Sequence, residues 1–130
     1  MNIVLGIVVS IVVSYSTFSF IKRPKITPTR ASSIISLIGV SILYGVSSLI
    51  SVDFESWSLL IFGASFVGMC SHKKFKDIEV LLSAVLFGII YVFLLPLLTG
   101  LGGALGFCAF VSILLVAALS FCFQQSSKRI

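Results

Sequence analysis

Five stretches of this chain carry no charged side chain, and each is about as long as a membrane-crossing helix or nearly so. They fall at about residues 2–21, 31–50, 57–71, 80–98 and 102–123, separated by short connectors that hold all the charge. A hydrocarbon core of ~30 Å needs about 20 residues of helix. Four of the runs meet that length. The third rises only about 22 Å at ~1.5 Å per residue. It is expected to span halfway, to be accommodated by local bilayer thinning, or to extend upstream through Asp53 and Glu55. All five runs are apolar on every side. Membrane barrel strands would alternate apolar and polar residues with period two, so helices are the expected elements. The expected fold is therefore all-α: a polytopic membrane bundle of about five transmembrane helices, in one domain over residues 1–130.

Composition agrees. The chain is 58% hydrophobic and 10% charged, against roughly 25% charged in soluble domains. A soluble fold of this size would lack the polar groups to cover its outside. The net charge of +5 does not argue for nucleic acid, because the basic residues lie in connectors between apolar runs and read as topology signals. The first connector holds Lys22, Arg23, Lys25 and Arg30, and its Pro24 and Pro28 forbid one continuous helix through it. The third holds Lys73, Lys74 and Lys76, and the tail holds Lys128 and Arg129. Five crossings put these three regions on one side and leave only Asp53 and Glu55 in the second connector, opposite. The positive-inside rule then predicts the N-terminus outside and the C-terminus inside, in the inner (plasma) membrane of a cell. The segregation holds only if the third run crosses. Because the basic cluster follows the first run rather than preceding it, that run is expected to be an uncleaved anchor, not a signal peptide.

Small residues recur three and four apart, and so on one helix face. Gly6, Ser10 and Ser14 do so in the first run, Ser41, Gly45 and Ser48 in the second, Ala64 and Gly68 in the third, and Gly102, Gly106 and Ala109 in the fifth. Lipid supplies no hydrophobic drive for helix association, so close backbone approach must supply it, and small residues permit that. The expected packing positions are Gly6, Ser10, Ser14, Gly45, Ala64, Gly68, Gly106 and Ala109. A loose likeness between FGASFVGMCS at 62–71 and GGALGFCAFVS at 102–112 suggests a weak two-helix internal repeat.

Residues for chemistry are few. No ionisable residue lies inside the five runs, which argues against proton-coupled export and voltage sensing. The single histidine, His72, stands at a membrane edge, as a solvated boundary residue or a pH sensor. Cys70, Cys108 and Cys122 form no metal or redox motif and read as small hydrophobes. Neither metal nor cofactor is expected, and no catalytic set can be assembled at one depth. Two places remain. Asp53 and Glu55 would make an acidic vestibule, or else a solvated acidic loop with Trp57 as its interfacial anchor. The glycine-rich turn after Pro96 would present the N–H groups of the fifth helix to an anion. A solute or ion path is accordingly expected along Asp53, Glu55, Ser41, Ser48, Ser65, Thr99, Gly100, Gly102 and Gly103. On this reading the protein is an oligomeric channel or transporter. The alternative is a non-catalytic membrane subunit assembled with a larger partner. Its expected partners are membrane lipids together with copies of itself or another membrane protein.

Overall fold

The short third run, the least convincing membrane span by length, lies at the centre of the structure. A computed structural model describes residues 2–23, 25–49, 51, 53–71, 73–98 and 103–127, without the side chains of 95, 98, 126 and 127. The described residues form five helices and no strand: α1 (Ile3–Ile21), α2 (Pro28–Ser47), α3 (Phe54–Val67), α4 (Asp77–Leu98) and α5 (Ala104–Ser127). Helices α1, α2, α4 and α5 are long and apolar enough to cross a membrane, which makes this an integral membrane protein. Helix α3 has 14 residues and rises only about 21 Å.

Several helix ends differ from the apolar runs for reasons of capping. Helix α2 begins inside the first connector, with Thr27 at the N-cap and Pro28 in the first turn. There proline's missing N–H costs nothing and its fixed φ suits the helix. Helix α3 takes Asp53 as N-cap and Glu55 into its first turn, where negative charge complements the helix dipole. Helix α4 draws in Asp77 and Glu79, and the Glu79 Oε2 accepts the Lys76 backbone N–H at 3.0 Å. Apolarity marks what lipid requires of a segment, whereas caps mark where its hydrogen bonding starts.

Helix α3 packs against each of the other four, and these form an arc around it in the order α2, α1, α4, α5. Among the described residues α2 and α5 do not touch, so the arc is open there. Leu59 and Phe62, on one face of α3, are exposed along that opening, with Phe62 46% accessible. The main core gathers on the rest of α3: Trp57, Leu60, Ile61, Ala64 and Val67, against Val13 of α1, Ala84, Phe87 and Tyr91 of α4, and Cys108 and Ala109 of α5. Trp57, expected at the interface, is thus a core residue, turned inward by its place in the first turn of α3. Cys70 and Cys108 are buried, whereas Cys122 is exposed.

Successive helices run in opposite directions. Lys22 at the end of α1 pairs with Asp77 at the start of α4, at 2.6 Å. At the opposite end, the Tyr91 hydroxyl of α4 donates to the Ser56 carbonyl of α3 at 2.7 Å. The first and third connectors therefore share one end of the bundle, and Asp53 and Glu55 stand at the other. Helix α3 links the two ends. The lysines and arginines of both basic connectors lie together, while His72 and the basic tail fall outside the described residues. The two hairpins of the suggested repeat, α2–α3 and α4–α5, occupy different surroundings: α3 is central, whereas α5 touches only α3 and α4.

Backbone contact sets the closest approaches. A Cβ built on Gly68 would lie 2.5 Å from the Ser14 carbonyl oxygen and 2.6 Å from the Thr17 Cβ. The Gly68 φ of −68° is ordinary, so lack of space, not conformation, demands glycine there. Around Gly45 nothing lies within 4 Å of such a Cβ. Gly68→Ala is therefore expected to destabilise the bundle by about 1–3 kcal/mol through overpacking, and Gly45→Ala to leave it unchanged or stabilise it by up to ~1 kcal/mol. Unfolding in mixed micelles at rising sodium dodecyl sulfate measures both, and equal effects would contradict the packing described.

Candidate functional site

Buried serines and threonines come from all five helices, and each uses its hydroxyl to tie one helix to another or to its own backbone. Ser10 of α1 donates to the Ala84 carbonyl of α4 at 2.9 Å. Ser14 donates to the Ala64 carbonyl of α3 at 2.8 Å. Thr17 bonds back to the Val13 carbonyl of its own helix. All three are fully buried. This stripe recurs three and four apart, so one face of α1 presents its hydroxyls to α3 and α4 together.

A second cluster joins α2 to α3. Ser65 donates to the Phe62 carbonyl at 2.7 Å. The Ser36 hydroxyl donates to the Ser65 Oγ at 2.9 Å, and the Ser32 hydroxyl lies 2.8 Å from the same oxygen. Since the one hydroxyl hydrogen of Ser65 goes to Phe62, Ser32 is the donor to Ser65. The Ser65 oxygen then gives one hydrogen bond and accepts two, its full tetrahedral complement. Ser32, Ser36 and Ser65 are at most 5% exposed. Their mutual bonding is what an apolar surrounding requires, since an unpaired hydroxyl there costs far more than a paired one returns.

Among the described residues, those expected to line a path lie apart from one another. Ser65 is locked in the α2–α3 contact near the basic end. Ser41, in the second half of α2, and Ser48, its C-cap, are exposed, and Ser48 donates to the Gly45 carbonyl. No hydrogen bond to the Ser41 hydroxyl is found among the described residues. Asp53 and Glu55 are exposed at the acidic end, and the Asp53 Oδ2 accepts the Ser56 hydroxyl at 2.6 Å. Gly103 is exposed with φ +87°, a conformation glycine adopts freely, just before α5 begins. Thr99, Gly100 and Gly102 lie outside the described residues.

The packing positions divide into two groups. Gly6, Ser10, Ser14, Ala64 and Ala109 are buried, and Gly68 lies against the backbone of α1 with no room for a side chain. Gly45 and Gly106 have open space where a side chain would be. The sequence reading missed Ser32 and Ser36, which lie at the start of the second run, off the spacing of Ser41, Gly45 and Ser48. Their spacing of four, and the serine-rich start of α2, were the available signals. Gly39, Gly63 and Gly88 were missed as well: added Cβ atoms would meet Ile61 at 2.8 Å, Phe87 at 2.5 Å and the Ile7 backbone at 3.2 Å. Two grooves lie on the outer surface. One, between α4 and α5, has a volume of about 600 Å³. The other, between α1 and α4, has about 350 Å³ and is lined by Ile11, Val12, Tyr15, Ser16, Asp77 and Leu81. Among the described residues no group of three or more His, Cys, Asp or Glu comes together.

Ser65→Ala removes the acceptor for two buried hydroxyls and is expected to cost about 1–2 kcal/mol of bundle stability. Ser41→Ala should cost nothing measurable. The same micelle titration compares them, and a neutral Ser65→Ala would show that the serine cluster does not hold α2 to α3.

Comparison with protein families, curated proteins and solved structures finds no match to this chain.

Proposed function

We propose that this protein is a non-catalytic integral membrane subunit that assembles laterally, through the outer half of α2, with another helix in the same membrane. The observation that carries this reading is the state of α2. Its buried residues are Ala31, Ser32 and Ser36, all near its start. Beyond them Ser41, Gly45 and Ser48 form a small-residue stripe on an exposed face, flanked by exposed Ile38, Ile42 and Tyr44. Small residues of this kind let a second backbone approach closely, and a serine at such a contact finds its hydrogen-bond partner on the neighbouring helix. Elsewhere in the bundle the same pattern is already used internally, by Ser10 and Ser14 toward α3 and α4. On α2 it is present and unspent.

In this reading the basic end faces the cytoplasm, the acidic end faces outward, and the membrane is the plasma membrane. The gathering of both basic connectors at one end of the bundle supports it. A second reading keeps the path but moves it between copies: Ser41 and Ser48 would line a route at the interface, with Asp53 and Glu55 at its outer mouth. The exposed Ser41 hydroxyl, which no described residue of its own chain satisfies, favours this version. Ion or solute flux into liposomes holding the pure protein separates the two, since a subunit alone gives none above empty vesicles.

Gly45→Leu tests the docking face without disturbing the protomer, because nothing surrounds Gly45. The expected outcome is a several-fold loss of the assembled species, by cross-linking in native membranes, with the stability of the bundle unchanged. An undiminished assembly would exclude this face of α2. Orientation is tested in a background with Cys70, Cys108 and Cys122 replaced by alanine. Asp53→Cys is expected to react with an impermeant maleimide in intact cells, and Lys25→Cys only after permeabilisation. The reverse pattern would overturn the orientation.

A further inference from the structure

The groove between α4 and α5 changes character along its length. Over most of it the walls are apolar: Ile78, Leu82 and Ile89 on α4 face Val116, Leu119 and Phe123 on α5. At the basic end its lining turns polar, with Lys76, Glu79, Ser120 and Gln124. From Lys76 to Ile89 the whole groove, polar end included, rises roughly 20 Å at ~1.5 Å per residue, and half of a bilayer of ~40–45 Å with its headgroups is about 20 Å. Its volume of about 600 Å³ falls within the range of sites that enclose small ligands. An acyl chain laid in this groove would therefore end at the depth where its headgroup meets the polar residues.

Around that end Lys73, Lys74 and Lys76 outnumber the acids Asp77 and Glu79. Glu79 lines the groove, but its carboxylate is held by the Lys76 backbone N–H. Asp77, the neighbouring acid, is paired with Lys22. Among the described residues no carboxylate lies within ion-pair distance of the Lys76 ammonium, and the exposed Lys73 and Lys74 stand just before it. We propose that this groove binds one anionic phospholipid of the leaflet at the basic end, with an acyl chain between α4 and α5 and the phosphate held by Lys76. The length of the groove, the switch from apolar to polar lining at one leaflet's depth, and an ammonium with no carboxylate within ion-pair distance among the described residues fit a lipid, whereas a partner helix would cover the apolar wall without supplying the anion. The site lies on α4 and α5, away from the α2 face, and does not depend on the assembly role.

Native mass spectrometry of the full chain, released from bilayers of equal phosphatidylglycerol and phosphatidylcholine, tests the proposal. One phosphatidylglycerol should be retained in preference to phosphatidylcholine. Lys76→Gln should lower that preference about fivefold, the effect of removing one cation near a membrane surface, while keeping residual lipid. Leu82→Trp, on an exposed position, should fill the groove and reduce retention of both lipids. Circular dichroism of each variant confirms that the helices are intact. No preference between the lipids, or unchanged retention in both variants, would overturn the proposal. So would a co-purifying protein that Leu82→Trp displaces in place of lipid.

Discussion

Inside a bilayer no water is present to satisfy a serine hydroxyl or a helix carbonyl, so polar groups there must find partners within protein. Among the described residues no buried side-chain nitrogen or oxygen lacks one. The partners converge on α3. Ser14 reaches the Ala64 carbonyl and Ser32 and Ser36 reach Ser65. On the same helix Gly68 closes against the backbone of α1. These contacts place a 14-residue helix among four longer ones and orient the larger side chains: Phe87 and Tyr91 fill the side of α3 that the serines leave apolar.

Much of this architecture is legible in the sequence, because the bilayer imposes simple rules. Charge-free runs of sufficient length gave four of the helices, and the all-helical class followed from their uniform apolarity. That the two basic connectors belong at one end was readable from Lys22 to Arg30 and Lys73 to Lys76 alone. What hydropathy does not encode is rank within the bundle. By length and adjacent acids α3 was the doubtful span, yet it packs against all four other helices, with small residues and hydroxyls at its contacts. Trp57 shows the same blind spot: an aromatic beside acids reads as an interfacial anchor, but its neighbours on α3 turn it into the core.

The candidate path was less legible. A small residue at helical spacing reads the same whether it meets a neighbour or faces open space. Ser14 and Ser41 are alike in sequence, and only the fold shows that one bonds α3 while the other is exposed. Asp53 and Glu55 were rightly set at one end of the bundle, but Ser65 lies toward the other, tied into a contact between helices. Spacing along one helix cannot report the second helix, and a site shared by several helices is defined only by their arrangement.

The central place of α3 also bears on how the bundle is made. Its contacts with α1 and α2 involve chain that precedes it, and domains emerge and fold from the N-terminus during synthesis. A nascent chain that has reached the third connector already contains every residue of the Ser14, Ser32 and Ser36 hydrogen bonds and of the Gly68 contact. Helices α4 and α5 arrive at a three-helix nucleus whose remaining face is lined by Gly63 and Leu60. A helix too short and too near its acids to be a strong insertion signal thus enters against two partners that already match it. The order of the segments along the chain becomes a build order, with the weakest span delivered after its support and before its cover.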